Sequence, residues 1–401
     1  MGTTPFLAAA EARRADVTEL LRDLIHTPSL SAGERDVTAR LTAEMEALGY
    51  DEVVLDPFGS VIGRIGEGSR VILMDSHVDT VGVGARDEWE RDPFEPALVD
   101  GVVYGRGACD DKGGMAAMVH GAALARETLP PDVTLYVVGS VQEEDCDGLA
   151  LEHVLTKVLP RPEIVVLGES TNGQLFRGNR GRVEVLVRMR GSSCHASAPE
   201  RGHNPVYDLA PVIAEVEALN QRLGHDELLG DGTVALTTIE CETPSLNAVP
   251  STATIYLDRR LTAGEDPDVA LKEIAALPSV QRAGGRVELL TYERTSYTGM
   301  RLGQEKRFGT WTLPEDSPGV RAGLATVTAA LGRPQPRTGS WVFSTNGVAS
   351  MGKLGIPTIG FGPGDERYAH TAAERCPVQD LVDAMAWYAA FPAEFVKEGP
   401  Q

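Results

Sequence analysis

Two patterns of hydrophobic and polar residues alternate along the first part of the chain. Apolar positions recur at helical spacing over about residues 8–26 and 34–48, and again after Asp110 in KGGMAAMVHGAALARETL. Short apolar runs begin at Val53, Val61 and Val71, and β-branched runs suited to buried strands occur in VTLYVVGSV and EIVVLG. Strands and helices in turn predict an α/β domain built on a mostly parallel sheet that helices cover.

The pattern changes near residue 178. The segments RVEVLVRMRG, TVALTTIECE and ATIYLDRRL alternate polar and apolar residues as half-exposed strands do, and amphipathic helices separate them. We therefore predict that residues 178–297 form an inserted α+β domain of ferredoxin-like type, and that residues 1–177 and 298–401 form the α/β domain. The inserted sheet has edge strands and an open face that need cover, which favours a dimerisation domain. The segment from Thr295 to Pro318 is predicted to be an irregular loop on the substrate side.

Composition and charge limit the setting. A chain of 401 residues is too long for one core, so two domains are expected. No apolar run approaches the ~20 residues of a membrane span, and the first residues lack a signal-peptide pattern, so we expect a cytoplasmic protein. The formal charge of −21 would repel nucleic acid and anionic membranes, and neither is an expected partner.

Acidic and histidine residues follow the strand-like runs. These are His77, Asp79, Asp110, Glu143, Glu144, Glu169 and His370. In an open α/β sheet, side chains beyond the carboxyl ends of the strands meet in one crevice, so we expect these residues to cluster. Mixed histidine and carboxylate ligands suit zinc, and also cobalt or manganese. Two such cations can activate one water and stabilise a hydrolytic transition state.

Each motif also has a purely structural explanation. The pattern H-x-D at His77–Asp79 is short and has many chance matches. An acidic pair such as Asp110–Asp111 is stabilising at a helix N-terminus, and the run EEDCD is typical of an exposed turn. The side chains of neighbouring residues such as Glu143 and Glu144 diverge at a strand end. One of the two could therefore bind a cation while the other holds the attacking water.

Taken together and in this order, the motifs resemble those of the M20 family of metallopeptidases and amidohydrolases. The matching motifs are H-x-D at His77, G-R-G-x-x-D-D-K-G-G around Asp110, E-E at 143–144, G-E at Glu169 and A-H-T-x-x-E around His370. The resemblance implies that His77, Asp110 and Glu169 bind one metal. It implies that Asp110, Glu144 and His370 bind a second metal. It further implies Glu143 as general base and acid, Asp79 as the partner of His77, and a cis peptide after Asp110.

The resemblance extends to the inserted domain, which it identifies as a lid. It implies that His195 in SSCHASAP reaches the active site of a partner subunit and stabilises the oxyanion, and that Asn247 and Arg260 hold the substrate. Without the resemblance these residues would be a surface-loop histidine, a turn former and an ion-pair partner. Longer stretches are similar to the YgeY-type hydrolases associated with selenium metabolism. Where the common family pattern ends in aspartate, this chain has Asn346, which predicts the loss of a charge near the site.

The expected function is hydrolysis of the amide bond of a small N-acyl or N-carbamoyl amino acid, with a metal-bridging hydroxide as nucleophile. Glutamate at position 169 accompanies deacylases and carboxypeptidases in the family, which favours this substrate class over dipeptides. The alternatives are a dipeptidase or carboxypeptidase of the same family and, in another class, an inactive metal-binding scaffold. The expected partners are the small amide substrate and a second subunit in a homodimer.

Overall fold

Helices occur in most places where the apolar spacing predicts them. Within residues 3–399, the part of the chain that this computed structural model describes, they are α1 Pro5–Glu11, α2 Arg14–His26, α3 Arg35–Ala47, α4 Lys112–Ala125, α5 Leu149–His153, α6 Pro205–Leu219, α7 Pro267–Ala275, α8 Pro278–Ala283, α9 Pro318–Leu331 and α10 Val378–Lys397. The predicted helix over residues 8–26 is two helices, because the chain turns at Ala12 and Arg13. No helix within the described residues is long and apolar enough to cross a membrane.

The strands of the same residues form one large sheet, one inserted sheet and smaller ribbons. They are β1 Glu52–Leu55, β2 Val61–Ile65, β3 Arg70–His77, β4 Ala97–Val99, β5 Val102–Tyr104, β6 Val133–Ser140, β7 Ile164–Leu167, β8 Leu175–Asn179, β9 Gly181–Arg190, β10 His225–Asp226, β11 Gly230–Asp231, β12 Thr233–Glu242, β13 Thr252–Leu261, β14 Arg286–Leu289, β15 Thr291–Thr295, β16 Arg301–Glu305, β17 Arg307–Phe308, β18 Trp311–Thr312, β19 Thr338–Trp341, β20 Thr358–Gly360 and β21 Arg375–Pro377.

The large sheet has the order β1-β2-β6-β3-β7-β20-β8-β18, with β19 beside β8. Its central strands β6, β3, β7 and β20 run parallel, and antiparallel strands complete both sides. Residues 71–77 of β3 and all of β7 are buried, as expected for central strands whose two faces are both covered. This architecture confirms the predicted α/β fold class.

The inserted sheet is antiparallel and has its own hydrophobic core. Its order is β12-β13-β9-β14. Every second residue of β13 is buried, and the core includes Val183, Val187, Ile255 and side chains of α6, α7 and α8. The strand β17, which follows residue 298, also pairs with β9. The alternating pattern in the sequence therefore corresponds to a sheet with one face packed on helices.

The segment from Thr295 to Pro318 is not the irregular loop that the sequence predicted. Its first part completes a β-hairpin in which β15 pairs with β16 from Thr291↔Glu305 to Thr295↔Arg301. Gly299 makes the tight connection possible because its φ of +94° is readily adopted by glycine. At the tip of the hairpin, the Tyr297 hydroxyl donates to the Gly59 carbonyl at 2.7 Å. The hairpin is thus anchored to the turn between β1 and β2.

Candidate metal centre and active site

The predicted metal ligands lie beyond the carboxyl ends of the parallel strands. β3 ends at His77, while the loops after β6 and β7 carry Glu144 and Glu169. Asp110 lies just before α4, and His370 lies in the loop after β20. Parallel pairing of β6, β3, β7 and β20 places four of these residues at one edge of the sheet, although they are far apart in the sequence.

One group of potential ligands joins His77, Asp110 and Glu169. The Nε2 atom of His77 lies 3.0 Å from Oδ1 of Asp110 and 3.7 Å from Oε1 of Glu169. One ligand atom from each residue lies within 4.8 Å of the other two. The three side chains are largely shielded from solvent, so their potential ligand atoms have little contact with water.

A second group joins Asp110, Glu144 and His370. The Nε2 atom of His370 lies 3.0 Å from Oε2 of Glu144 and 3.1 Å from Oδ2 of Asp110. Asp110 therefore directs one carboxylate oxygen toward each group, as a carboxylate that bridges two cations does. The peptide bond between Asp110 and Asp111 is cis, as the resemblance implies.

The chemistry of the two groups fits divalent cations. Each combines an imidazole nitrogen with carboxylate oxygens, which zinc, cobalt and manganese accept. Burial raises the pKa of Glu169 well above its usual value, and the nearby Asp111 adds to the shift. Burial also raises the pKa of Glu144, and the charge of Asp110 acts in the same direction. Bound cations would offset this concentration of buried negative charge.

Glu143 belongs to neither ligand group. Its side chain is buried, and Oε1 has no hydrogen-bond partner within residues 3–399. Burial raises the pKa of Glu143 well above its usual value; the charge of His77 opposes the shift, while Asp147 and Glu169 increase it. A carboxylate with a raised pKa beside a cavity is suited to accepting and returning a proton.

Asp79 contacts more than the histidine it was predicted to orient. Nδ1 of His77 lies 3.0 Å from the backbone carbonyl of Asp79 and 3.5 Å from its carboxylate. A carbonyl only accepts, so Nδ1 carries the proton and leaves Nε2 free to bind a metal. The Asp79 carboxylate also accepts from the backbone N–H groups of Glu143 at 3.1 Å and Glu144 at 3.2 Å. It therefore fixes the loop that holds the candidate base.

Glu374 supports the bridging residue, and the sequence reasoning did not identify it. Its Oε1 atom accepts from the backbone N–H groups of Gly107 at 2.9 Å, Cys109 at 3.2 Å and Asp110 at 3.2 Å. Its other oxygen pairs with Arg106 at 2.5 Å in a fully buried ion pair. The final glutamate of A-H-T-x-x-E was the available signal. Its carboxylate shapes the turn from which Asp110 projects.

Of the three residues predicted in the inserted domain, one lies at the metal centre. Arg260 lines the same cavity as the ligands, where it pairs with Asp258 through bonds of 2.7 and 3.0 Å. His195 and Asn247 are exposed and line no part of that cavity in this chain. They occupy neighbouring loops, because the Ala196 N–H donates to the Asn247 carbonyl at 2.8 Å.

The cavity beside the metal centre has a volume of about 230 Å³. In addition to candidate ligands and Glu143, it is lined by side chains from the inserted sheet and from late loops, including Arg182, Arg260, Ser344 and Glu366. A larger cavity of about 320 Å³ lies beside Tyr104 and Arg375 and contains none of the predicted ligands. We therefore take the cavity of about 230 Å³, which is lined by predicted ligands and by Glu143, as the candidate active site.

The asparagine that departs from the family pattern contacts a buried carboxylate. The Asn346 amide donates to Oδ2 of Asp75 at 2.8 Å and to the Ser140 hydroxyl at 2.9 Å. Its carbonyl oxygen accepts from the Gly148 N–H at 2.8 Å. Burial raises the pKa of Asp75 to about 6, while the bonds from Asn346 and Ser140 lower it. A buried carboxyl group therefore remains here, on Asp75 beside Asn346.

The β15–β16 hairpin lies against the loop of residues 142–147, which carries the candidate base. The Tyr292 hydroxyl donates to Oε1 of Gln142 at 2.6 Å. The Arg294 guanidinium donates to Oδ2 of Asp145 at 2.6 Å. The hairpin therefore contacts the loop on both sides of Glu143 and Glu144, and the sequence alone did not predict this contact.

Comparison with known proteins identifies the family. Residues 73–394 match peptidase family M20/M25/M40. The uncharacterized protein YgeY of Escherichia coli strain K12 is 44% identical over 391 residues, which cover 97% of this chain and 97% of that protein. Succinyl-diaminopimelate desuccinylase of Gluconacetobacter diazotrophicus is 28% identical over 391 residues, 93% of this chain and 95% of that enzyme.

A solved structure extends the comparison to the fold. The M20 family metallo-carboxypeptidase Sso-CP2 from Sulfolobus solfataricus superimposes with a TM-score of 0.74 at 21% identity. The match covers 94% of this chain and 99% of that one. These findings confirm the resemblance that the motifs indicated. The chain belongs to peptidase family M20/M25/M40 and is a metal-dependent hydrolase of amide or peptide bonds.

Proposed function

We propose that this protein is an amidohydrolase that uses two divalent metal ions to cleave the amide bond of a small N-acyl or N-carbamoyl amino acid. The arrangement of Asp110 supports this proposal most directly. Its two carboxylate oxygens lie 3.0 and 3.1 Å from histidines of separate ligand groups. Glu143, which belongs to neither group, remains available for proton transfer.

In this proposal the residues divide into ligands and a base. His77, Asp110 and Glu169 hold one cation, and Asp110, Glu144 and His370 hold the other. Zinc is the proposed metal, with cobalt and manganese as alternatives. Such cations lower the pKa of water and polarise a carbonyl oxygen.

Glu143 accepts a proton from the attacking water and delivers it to the leaving amine. Burial raises its pKa, so the carboxyl group can hold the proton between the two steps. Asp79 holds the base in place through its bond to the Glu143 N–H. Its contact with His77 keeps Nε2 of that histidine directed toward the metal site.

A homodimer would complete the site. His195 is exposed and lies outside its own cavity, so it is available to a second subunit. The inserted sheet ends in the edge strand β12, on which Ile239 is 53% exposed, and the nearby Leu246 is fully exposed. Edge strands with exposed apolar side chains favour pairing between subunits. We propose that His195 of the partner subunit donates a hydrogen bond to the developing oxyanion.

The substrate class is inferred from Arg260 and Glu169. Arg260 lines the cavity, and its planar guanidinium can bind a substrate carboxylate through two parallel bonds. Glutamate at position 169 favours deacylation, and the similarity to a desuccinylase supports the same choice. A peptidase is the second candidate, because the fold is shared with the metallo-carboxypeptidase Sso-CP2.

A substrate panel tests the proposal. Metal-stripped protein is reloaded with zinc, cobalt or manganese and assayed on N-acyl, N-formyl and N-carbamoyl amino acids and on unblocked dipeptides. We expect the blocked amino acids to exceed dipeptides at least about tenfold in kcat/KM, a difference of about 1.4 kcal/mol in transition-state binding. The reverse order would establish a dipeptidase. Absence of turnover in every class, with Glu143→Gln behaving as the wild type, would refute the enzymatic proposal.

A further inference from the structure

Most charged side chains that line the candidate active site have an assigned partner or role. Asp147 pairs with Arg182 at 2.5 Å, and Arg260 pairs with Asp258 at 2.7 Å. The remaining carboxylates of the cavity belong to the two ligand groups or to the candidate base, with one exception. That exception is Glu366.

Glu366 carries a carboxylate without a cationic partner. None of the ion pairs formed within residues 3–399, counted to 4.0 Å, includes it. Its Oε2 atom is shielded from solvent and has no hydrogen-bond partner in the same residues. Burial raises the pKa of Glu366 to about 7, and the charge of Asp365 adds to the shift. A cation bound here would compensate for the lost solvation of this carboxylate.

Glu366 lies four residues before His370, a candidate metal ligand. Residues Glu366–Tyr368 form one turn of 3₁₀-helix. The Glu366 carbonyl accepts from the Ala369 N–H at 3.0 Å, and the Asp365 carboxylate accepts from the Arg367 N–H at 3.1 Å. His370 lies two residues beyond this turn. Glu366 and His370 line the same cavity, so one small substrate can contact both.

We propose that Glu366 binds a cationic group of the substrate, an ammonium or a guanidinium, and thereby selects amides that carry a positive charge. This inference rests on the proposed function, since it assigns the substrate class of the same site. The charge-assisted bond fixes the substrate at a point away from the metals, and such bonds are stronger than neutral ones.

An alternative partner within the protein is Arg180. Its charge lowers the pKa of Glu366, so the two groups sense one another. The Arg180 guanidinium is nevertheless held by carbonyl oxygens, those of Val342 at 2.6 Å and Asp231 at 2.6 Å. If Glu366 served only to balance Arg180, its replacement would affect charged and neutral substrates alike.

Three matched compounds test the proposal on the metal-loaded protein. N-acetyl-L-norvaline carries no cation, N-acetyl-L-ornithine places an ammonium on the amine side of the scissile bond, and glycyl-L-norvaline places one on the acyl side. We expect N-acetyl-L-ornithine to exceed N-acetyl-L-norvaline in kcat/KM by about tenfold or more. The same preference for glycyl-L-norvaline would support the inference but would establish a dipeptidase in place of the proposed deacylase. We expect Glu366→Gln to remove this preference and to leave the kcat/KM of N-acetyl-L-norvaline within about threefold of the wild-type value.

Asp365→Asn is the matched control. Asp365 is the neighbouring carboxylate, pairs with Arg367 and does not line the cavity, so its neutralisation should preserve the preference. A wild-type enzyme without preference for either charged compound would overturn the inference. An equal fall in kcat/KM for all three compounds in Glu366→Gln would also overturn the inference.

Binding measurements separate this inference from the proposed function. Calorimetric titration of metal-loaded Glu143→Gln with the same compounds reports affinity without turnover, and the double variant with Glu366→Gln provides the comparison. Tighter binding of a charged compound that requires Glu366, without hydrolysis by the wild type, would support the inference and refute the proposed function. Hydrolysis by the wild type without any preference for a charged compound would support the proposed function and refute the inference.

Discussion

The contact between Asn346 and Asp75 leads to a quantitative prediction for Asn346→Asp. In the wild type, an amide N–H of Asn346 lies 2.8 Å from the Asp75 carboxylate, and the two side chains are 3% and 1% exposed. The substitution keeps the shape of the side chain but replaces a donor with a second carboxylate. Two buried like charges then face one another in place of a hydrogen bond.

The magnitude follows from two competing costs. At an effective dielectric constant of about 20, two unit charges 2.8 Å apart repel by about 6 kcal/mol. The variant can instead bind a proton between the two groups. Relative to an unfolded aspartate of pKa about 3.9, this costs about 4 kcal/mol at pH 7, at 1.36 kcal/mol for each pH unit. Because protonation costs less, we expect a loss of about 4 kcal/mol in the free energy of unfolding.

The destabilisation by Asn346→Asp also depends on pH. The shared carboxyl pair has a pKa in the folded variant that is above its value in the unfolded chain. The folded variant keeps this proton at pH values where the folded wild type loses the proton of Asp75, whose pKa is about 6. The destabilisation relative to the wild type therefore grows as the pH rises above about 6. We expect the loss at pH 5 to be about 1.4 kcal/mol smaller than the loss at pH 7.

Urea denaturation followed by tryptophan fluorescence measures the effect on metal-free protein at pH 5 and pH 7. The exchanged pair, Asp75→Asn with Asn346→Asp, serves as control because it restores one carboxylate facing one amide, and we expect it to recover most of the loss. If Asn346→Asp unfolds within about 0.5 kcal/mol of the wild type at pH 7, the reasoning fails. An equal loss at both pH values would contradict the protonation argument.

Two further predictions concern residues that hold the site in place. Tyr292→Phe removes the hydroxyl that binds Gln142. Because the loop carrying the base then loses a constraint, we expect kcat to fall severalfold with KM nearly unchanged. An altered KM with an unchanged kcat would argue against this role. Glu374→Gln leaves buried Arg106 without its counterion. We therefore expect a loss of about 3–5 kcal/mol in the free energy of unfolding, measured by urea denaturation. An unaltered denaturation midpoint would contradict this prediction.

The sequence predicted the elements that depend on local patterns. Buried strands followed by an acid or a histidine predicted a cluster at the carboxyl ends of a parallel sheet, and the structure brings His77, Asp110, Glu144, Glu169 and His370 into two groups. This prediction succeeds because strand direction fixes the edge at which each loop emerges. The alternating pattern of the inserted sheet is likewise a local signal.

Contacts between distant segments were not predictable in the same way. Glu374 binds the Asp110 turn across more than 260 residues, and no periodicity reports such a bond. The hairpin was taken as a loop because its strands are short and its polar and apolar positions are mixed. The contact between Asn346 and Asp75, which lies in a strand that reads as apolar, was likewise not predicted. Each of these cases depends on side chains that meet only after folding.

Metal stoichiometry combined with one substitution tests the central claim most directly. Metal-stripped wild type and Glu143→Gln are titrated with zinc, metal content is measured after dialysis, and hydrolysis of the best substrate is assayed. We predict two bound equivalents in both proteins, one for each ligand group, and a fall in kcat of about 10²–10⁴ in Glu143→Gln. A wild type that binds fewer than two equivalents at full activity, or a Glu143→Gln variant as active as the wild type, would contradict the account.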